Sequence, residues 1–124
     1  MVKNSEATLK KDRIDQLEMT ICNLEKAEQA EEDAFIRENA PEFASLADIE
    51  SEEDFDRLVA EFVALPKVIE IGAKLNVAKS EKKVLENEII EMALSLTPTS
   101  IVADLRKGLH RVDFRKRIID AYFL

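Results

Sequence analysis

Glycine occurs twice in this sequence, proline three times, and cysteine and histidine once each. Each scarcity closes off a class of protein. Strand-rich folds need turn residues with φ > 0 at their hairpins, and two glycines in 124 residues do not supply them. The same two, Gly72 and Gly108, cannot write a phosphate-cradling loop or a dinucleotide fingerprint. A lone Cys22 cannot close an internal disulfide, so the fold does not rest on an oxidising compartment. With His110 as the sole histidine, zinc sites with the usual ligands cannot be assembled either. Cys22 beside the apolar stripe of its helix is expected to be a buried, inert thiol rather than a nucleophile served by His110, which lies among arginines and is expected at the surface. No apolar run approaches the roughly 20 residues that cross a bilayer. The opening Met-Val-Lys-Asn-Ser-Glu has no apolar signal core behind it. A cytoplasmic protein without membrane contact is the expectation.

What is abundant is helix-forming: Ala, Glu, Lys, Leu and Ile, within a hydrophobic share of 46% that is ordinary for a folded domain. The first long helix is expected from about Ser5 to Glu38. Ile14, Leu17, Ile21 and Leu24 recur at steps of three and four, which keeps them on one face. Beyond Leu24 the stripe thins to Ala27, Ala30 and Ala34 among acids, so this half is expected to be the more exposed one. Phe35 and Ile36 restore an apolar anchor before Pro41 stops the run. A second helix is expected to start near Ser51, with Ser51 and Asp54 resembling a capping box and the acids after Ser51 facing the positive end of the helix dipole. Its apolar residues Phe55, Leu58, Val59, Phe62 and Val63 follow helical spacing. Pro66 either ends that helix or opens the next.

From Lys67 to Leu96 a heptad series runs through Val68, Ile71, Leu75, Ala78, Lys82, Leu85, Ile89, Met92 and Leu96, predicting a continuous coiled-coil-like helix. Thirty such residues would span about 45 Å. A second apolar edge at Ile69, Val77, Val84, Ile90 and Leu94 predicts further neighbours. Thr97 as cap and Pro98 at the first position predict a short helix carrying Ile101, Val102 and Leu105, stopped by Gly108. A last helix is expected near Asp113, with Phe114, Ile118, Ile119 and Tyr122 turned inward. The fold class is therefore all-α, a helical bundle with a long antiparallel hairpin plus shorter helices, organised as a single domain over residues 1–124.

Charge is unevenly distributed. The net charge is −8, and residues 28–56 hold 12 acids against Arg37 alone. Residues 106–117 hold six cations against Asp113. An acidic surface disfavours direct binding to nucleic acid. The pattern Glu28-x-x-Glu31 followed by Glu53-x-x-Asp56 resembles that of all-α nucleotide pyrophosphohydrolases of the MazG type, and Glu52-Glu53-Asp54-Phe55-Asp56-Arg57-Leu58-Val59 is similar to the second half of that motif. The resemblance implies carboxylates on two facing helices holding Mg²⁺ against a substrate's phosphates.

The leading expectation is instead a non-enzymatic protein–protein interaction module, an adaptor, assembly factor or inhibitor, with no cofactor and no metal. An acidic phosphate-mimicking inhibitor of a nucleic-acid enzyme is the first alternative, and the Mg²⁺-dependent hydrolase the second. A homodimer is expected, because long helices with two-sided seams need covering. The candidate partner-binding residues are Glu28, Glu31 and Glu32 on the acidic side and Arg111, Arg115, Lys116 and Arg117 on the basic side. Cations near helix ends can also be purely structural, and acids on a helix can be a solvated face.

Overall fold

The computed structural model describes residues 5–124; Met1–Asn4, part of the opening segment read above for a leader, lie outside them. Helix makes up 83% of the structure, and no strand occurs among the described residues. The elements are α1 (Ser5–Asn39), a 3-10 turn (Leu46–Asp48), α2 (Glu52–Val63), α3 (Pro66–Ser95), α4 (Thr99–Lys107) and α5 (Val112–Tyr122). α1 packs against α3 as an antiparallel hairpin, and the polar stretch Lys79–Lys83 stays helical within α3. The chain divides into two compact units, residues 5–18 with 80–124, and residues 19–79.

In the first unit, Ile14 of α1 meets Ile89, Ile90 and Leu94 of α3 and Ile119 of α5, all buried. Leu85, Leu105, Leu109, Ile118, Tyr122 and Phe123 close around them. Burial of this apolar area is the driving force, and it explains why α4 and α5, too short to be stable alone, hold their helical form. Gly108 ends α4 with φ −89°, so its value is room rather than left-handed freedom. A Cβ there would stand 2.6 Å from Cδ1 of Phe114. Polar contacts then fix the register. Lys10 Nζ reaches Glu88, Arg13 Nε donates to Glu81 at 2.6 Å, and Lys82 Nζ lies 3.6 Å from Glu18. That last pair accounts for a lysine at a seam position. Exposed pairs of this kind contribute only about 0–1 kcal/mol each.

In the second unit the later half of α1 packs with α2 and the start of α3. Its core is Phe35, Ile36, Ala40, Leu46, Ile49, Leu58, Phe62 and Val68. Phe35 and Phe62 meet at 5.6 Å between ring centroids, tilted by 54°, an arrangement that adds to area burial. Ser51 caps α2, its Oγ accepting from the Asp54 N–H at 3.4 Å. Pro66 takes the first position of α3, where its missing N–H is harmless.

Three expectations need correction. Cys22 is exposed rather than buried: it lies off the Ile14–Leu17 line, and the stripe beside it, Ile21 and Leu24, is itself only half-buried. Pro98, not Thr97, is the N-cap of α4; its extended ψ of 137° keeps it outside the helix, and the Thr97 hydroxyl instead donates to the Ala93 carbonyl at 3.0 Å, satisfying the end of α3. The second edge of α3 is covered only at Ile90 and Leu94, because α5 reaches that end, while Ile69, Val77 and Val84 are exposed. On α2, Leu58 and Phe62 are buried and Val59 half-buried; Val63 lies on the stripe's margin and Phe55 on its centre line but near the helix start, and both stay open.

Candidate protein-docking groove

The second unit carries a groove built by the segment that joins α1 to α2. Pro41 forces the chain out of α1, and the backbone then turns through Phe43, whose N–H donates to the Ala40 carbonyl at 3.0 Å. Leu46 and Ile49, three residues apart on the 3-10 turn and its exit, both point into the core. This plants an otherwise irregular segment against α2. Between them and the first turns of α2 runs a shallow channel lined by Leu46, Ala47, Ile49, Phe55 and Val59, with Glu32, Glu50 and Glu52 at its edge. Phe55 is 37% exposed, so part of this aromatic side chain is open at the channel.

The edge is anionic. Glu32 comes from α1 and accepts a hydrogen bond from Gln29 Nε2 at 3.0 Å, which sets its orientation without neutralising it. Glu50 precedes the cap Ser51, and Glu52 opens α2, where a carboxylate is favoured by the helix dipole. Both are exposed and have no cation partner among the described residues. An apolar floor with an anionic edge selects a ligand that carries both an apolar side chain and positive charge.

The acids singled out in the sequence do not act as one group. Glu32 reaches the groove. Glu28 lines a separate shallow hollow with Glu25, Gln29 and Glu32 beside Phe62. Glu31 turns toward α3, 3.8 Å from Lys67 Nζ. Glu53 and Asp56 sit exposed on α2, and no three His, Cys, Asp or Glu side chains among the described residues are placed to share a metal ion. The four carboxylates of the MazG-like pattern are therefore not gathered into a ligand set.

The basic residues belong to the first unit. Arg106 makes a two-pronged contact with Glu91 at 2.9 and 3.0 Å, and this hydrogen-bonded guanidinium holds the Glu91 carboxyl below its usual range. Arg115, half-buried, donates to Asn87 Oδ1 at 2.5 Å. Arg111, Lys116 and Arg117 are exposed and make no ion pair among the described residues. Val112 stands between them, 79% exposed. His110 is exposed and its Nδ1 donates to the Lys107 carbonyl at 2.9 Å, a local turn contact. No family model matches the chain, and searches of curated proteins and of solved structures found no match.

The groove residues Leu46, Ala47 and Ile49 were not among the sequence candidates. Their signal is the series Phe43, Leu46 and Ile49, apolar at every third position between Pro41 and Ser51, where a solvated loop would carry polar residues.

Proposed function

We propose that the protein is a non-enzymatic interaction module whose binding element is the groove between the 3-10 turn and α2, and that its partner presents a basic amphipathic segment. The observation that carries this reading is the open Phe55 on an apolar floor edged by Glu32, Glu50 and Glu52. Aromatic residues at the centre of a contact account for much of its binding energy, while surrounding charges set rate and selectivity. An adaptor, an assembly factor and an inhibitor would all use such an element in the same way.

The test is calorimetric titration with a synthetic amphipathic helix bearing leucines on one face and lysines on its flanks. Phe55→Ser should weaken binding about tenfold or more, equivalent to about 1.4 kcal/mol, with helicity unchanged. A peptide that fails to bind, or binds Phe55→Ser equally well, refutes the reading.

A second reading has its own support in Glu25, Glu28 and Glu32, which share one hollow at helical spacing on α1. Carboxylates about 4.5 and 6 Å apart along a helix axis can stand in for phosphates in the cleft of a nucleic-acid enzyme. Under that reading Glu25→Gln with Glu28→Gln abolishes inhibition of the enzyme and Phe55→Ser does not.

A further inference from the structure

Resting on the groove reading, we infer that the groove's occupant is a second copy of this chain, which inserts the start of α5. The chain itself carries the complement that the groove selects. Val112 is the most exposed large apolar side chain within the described helices, at 79%. It lies one residue after Arg111 and one helical turn before Lys116, so an apolar knob is set among cations. Arg111, Lys116 and Arg117 make no ion pair among the described residues, whereas Arg106 and Arg115 are already held by Glu91 and Asn87. Opposite charges meet on docking: Glu32, Glu50 and Glu52 around Phe55 receive Arg111 and Lys116 beside Val112, while Arg117 lies farther round α5. The contact joins one patch of one copy to a different patch of the next. Made reciprocally about a two-fold axis it closes a dimer, and made head-to-tail it is heterologous and forms a ring or propagates.

The salt dependence follows from where these charges lie. All are exposed, so their attraction extends about 30 Å at 0.01 M salt and only about 3 Å at 1 M. Association should be strong at low ionic strength and largely lost at high.

The experiment is light scattering on the full chain and two charge-reversed forms. One carries Arg111→Glu with Lys116→Glu; the other carries Glu50→Lys with Glu52→Lys. The wild type is expected to scatter as a dimer or larger at low salt and to fall toward the monomer mass at high salt. Each reversed form alone should be monomeric at low salt with its far-UV spectrum unchanged. An equimolar mixture of the two should regain the associated mass, because each then meets its complement. A monomeric wild type at low salt, or a mixture that stays monomeric, overturns the inference. So does a basic-reversed form that still associates. In each of these cases binding of the synthetic basic helix to the wild-type groove, and its loss in Phe55→Ser, tells separately whether the groove reading stands.

Discussion

Ile89 is fully buried, 0% exposed, at the centre of the first unit, and Ile89→Ala probes that core most directly. Its neighbours Ile14, Ile90, Leu94 and Ile119 come from α1, α3 and α5, so the void left behind is walled by three helices and cannot collapse by moving one side chain. Loss of the transferred apolar atoms together with a residual cavity costs about 2–5 kcal/mol. A chain of this size has about 6–19 kcal/mol of stability in total, and each kcal/mol moves Tm by roughly 4 °C. Ile89→Ala should therefore lower Tm by roughly 8–20 °C, and Ile89→Val by a few degrees. Val84→Ala, five residues away on the same helix at a side chain that is 54% exposed, should stay within about 0.5 kcal/mol of the parent. Thermal and urea unfolding followed by far-UV dichroism measure all three. Equal costs for Ile89→Ala and Val84→Ala would refute the assignment of the inward face of α3.

Gly108→Ala would place its Cβ 2.6 Å from the Phe114 ring. Overpacking of about 1–3 kcal/mol should outweigh the roughly 0.4–1 kcal/mol gained by restricting the unfolded chain, and the same substitution in a Phe114→Ala background should become neutral or stabilising by urea unfolding. Because Arg106 depresses the carboxyl of Glu91 in the folded chain, that pair stabilises above the ordinary carboxylate value and is lost as pH falls through the lower folded value. Glu91→Gln should accordingly flatten the decline of Tm measured at low salt as pH falls through and below the ordinary glutamate range. Cys22, exposed on α1, should react with an aromatic disulfide reagent in the native protein at a rate near that of the urea-unfolded chain; slow reaction would show that it is covered.

The helices were legible because period and punctuation agreed. Ile14, Leu17, Val68, Leu75 and Ile89 repeat at helical steps, while Pro41, Ser51, Pro66 and Gly108 mark ends that the structure places within a residue or so. Coverage was less legible than periodicity. Spacing says which side chains share a face but not whether a neighbour lies over it, so Val77 and Val84 carry the same pattern as Ile90 and only Ile90 is buried. Cys22 was misplaced for the same reason. The groove was the hardest feature to see, since half of it is the irregular segment between α1 and α2, whose apolar residues gain meaning only once Leu46 and Ile49 are seated against Leu58 and Phe62. Of the three candidate partner-binding acids Glu28, Glu31 and Glu32, only Glu32 lies at that groove; charge density gives the sign of a surface and not the direction in which each carboxylate points.

We propose that partners bind at Phe55 and its acidic edge. Amide and methyl chemical shifts of the labelled protein, followed during titration with the synthetic basic amphipathic helix, test it most directly. Leu46, Ala47, Ile49, Phe55 and Val59 should shift together and saturate with one affinity, and Phe55→Ser should remove the response. Shifts confined to other surfaces, or none at all at saturating peptide, would contradict it.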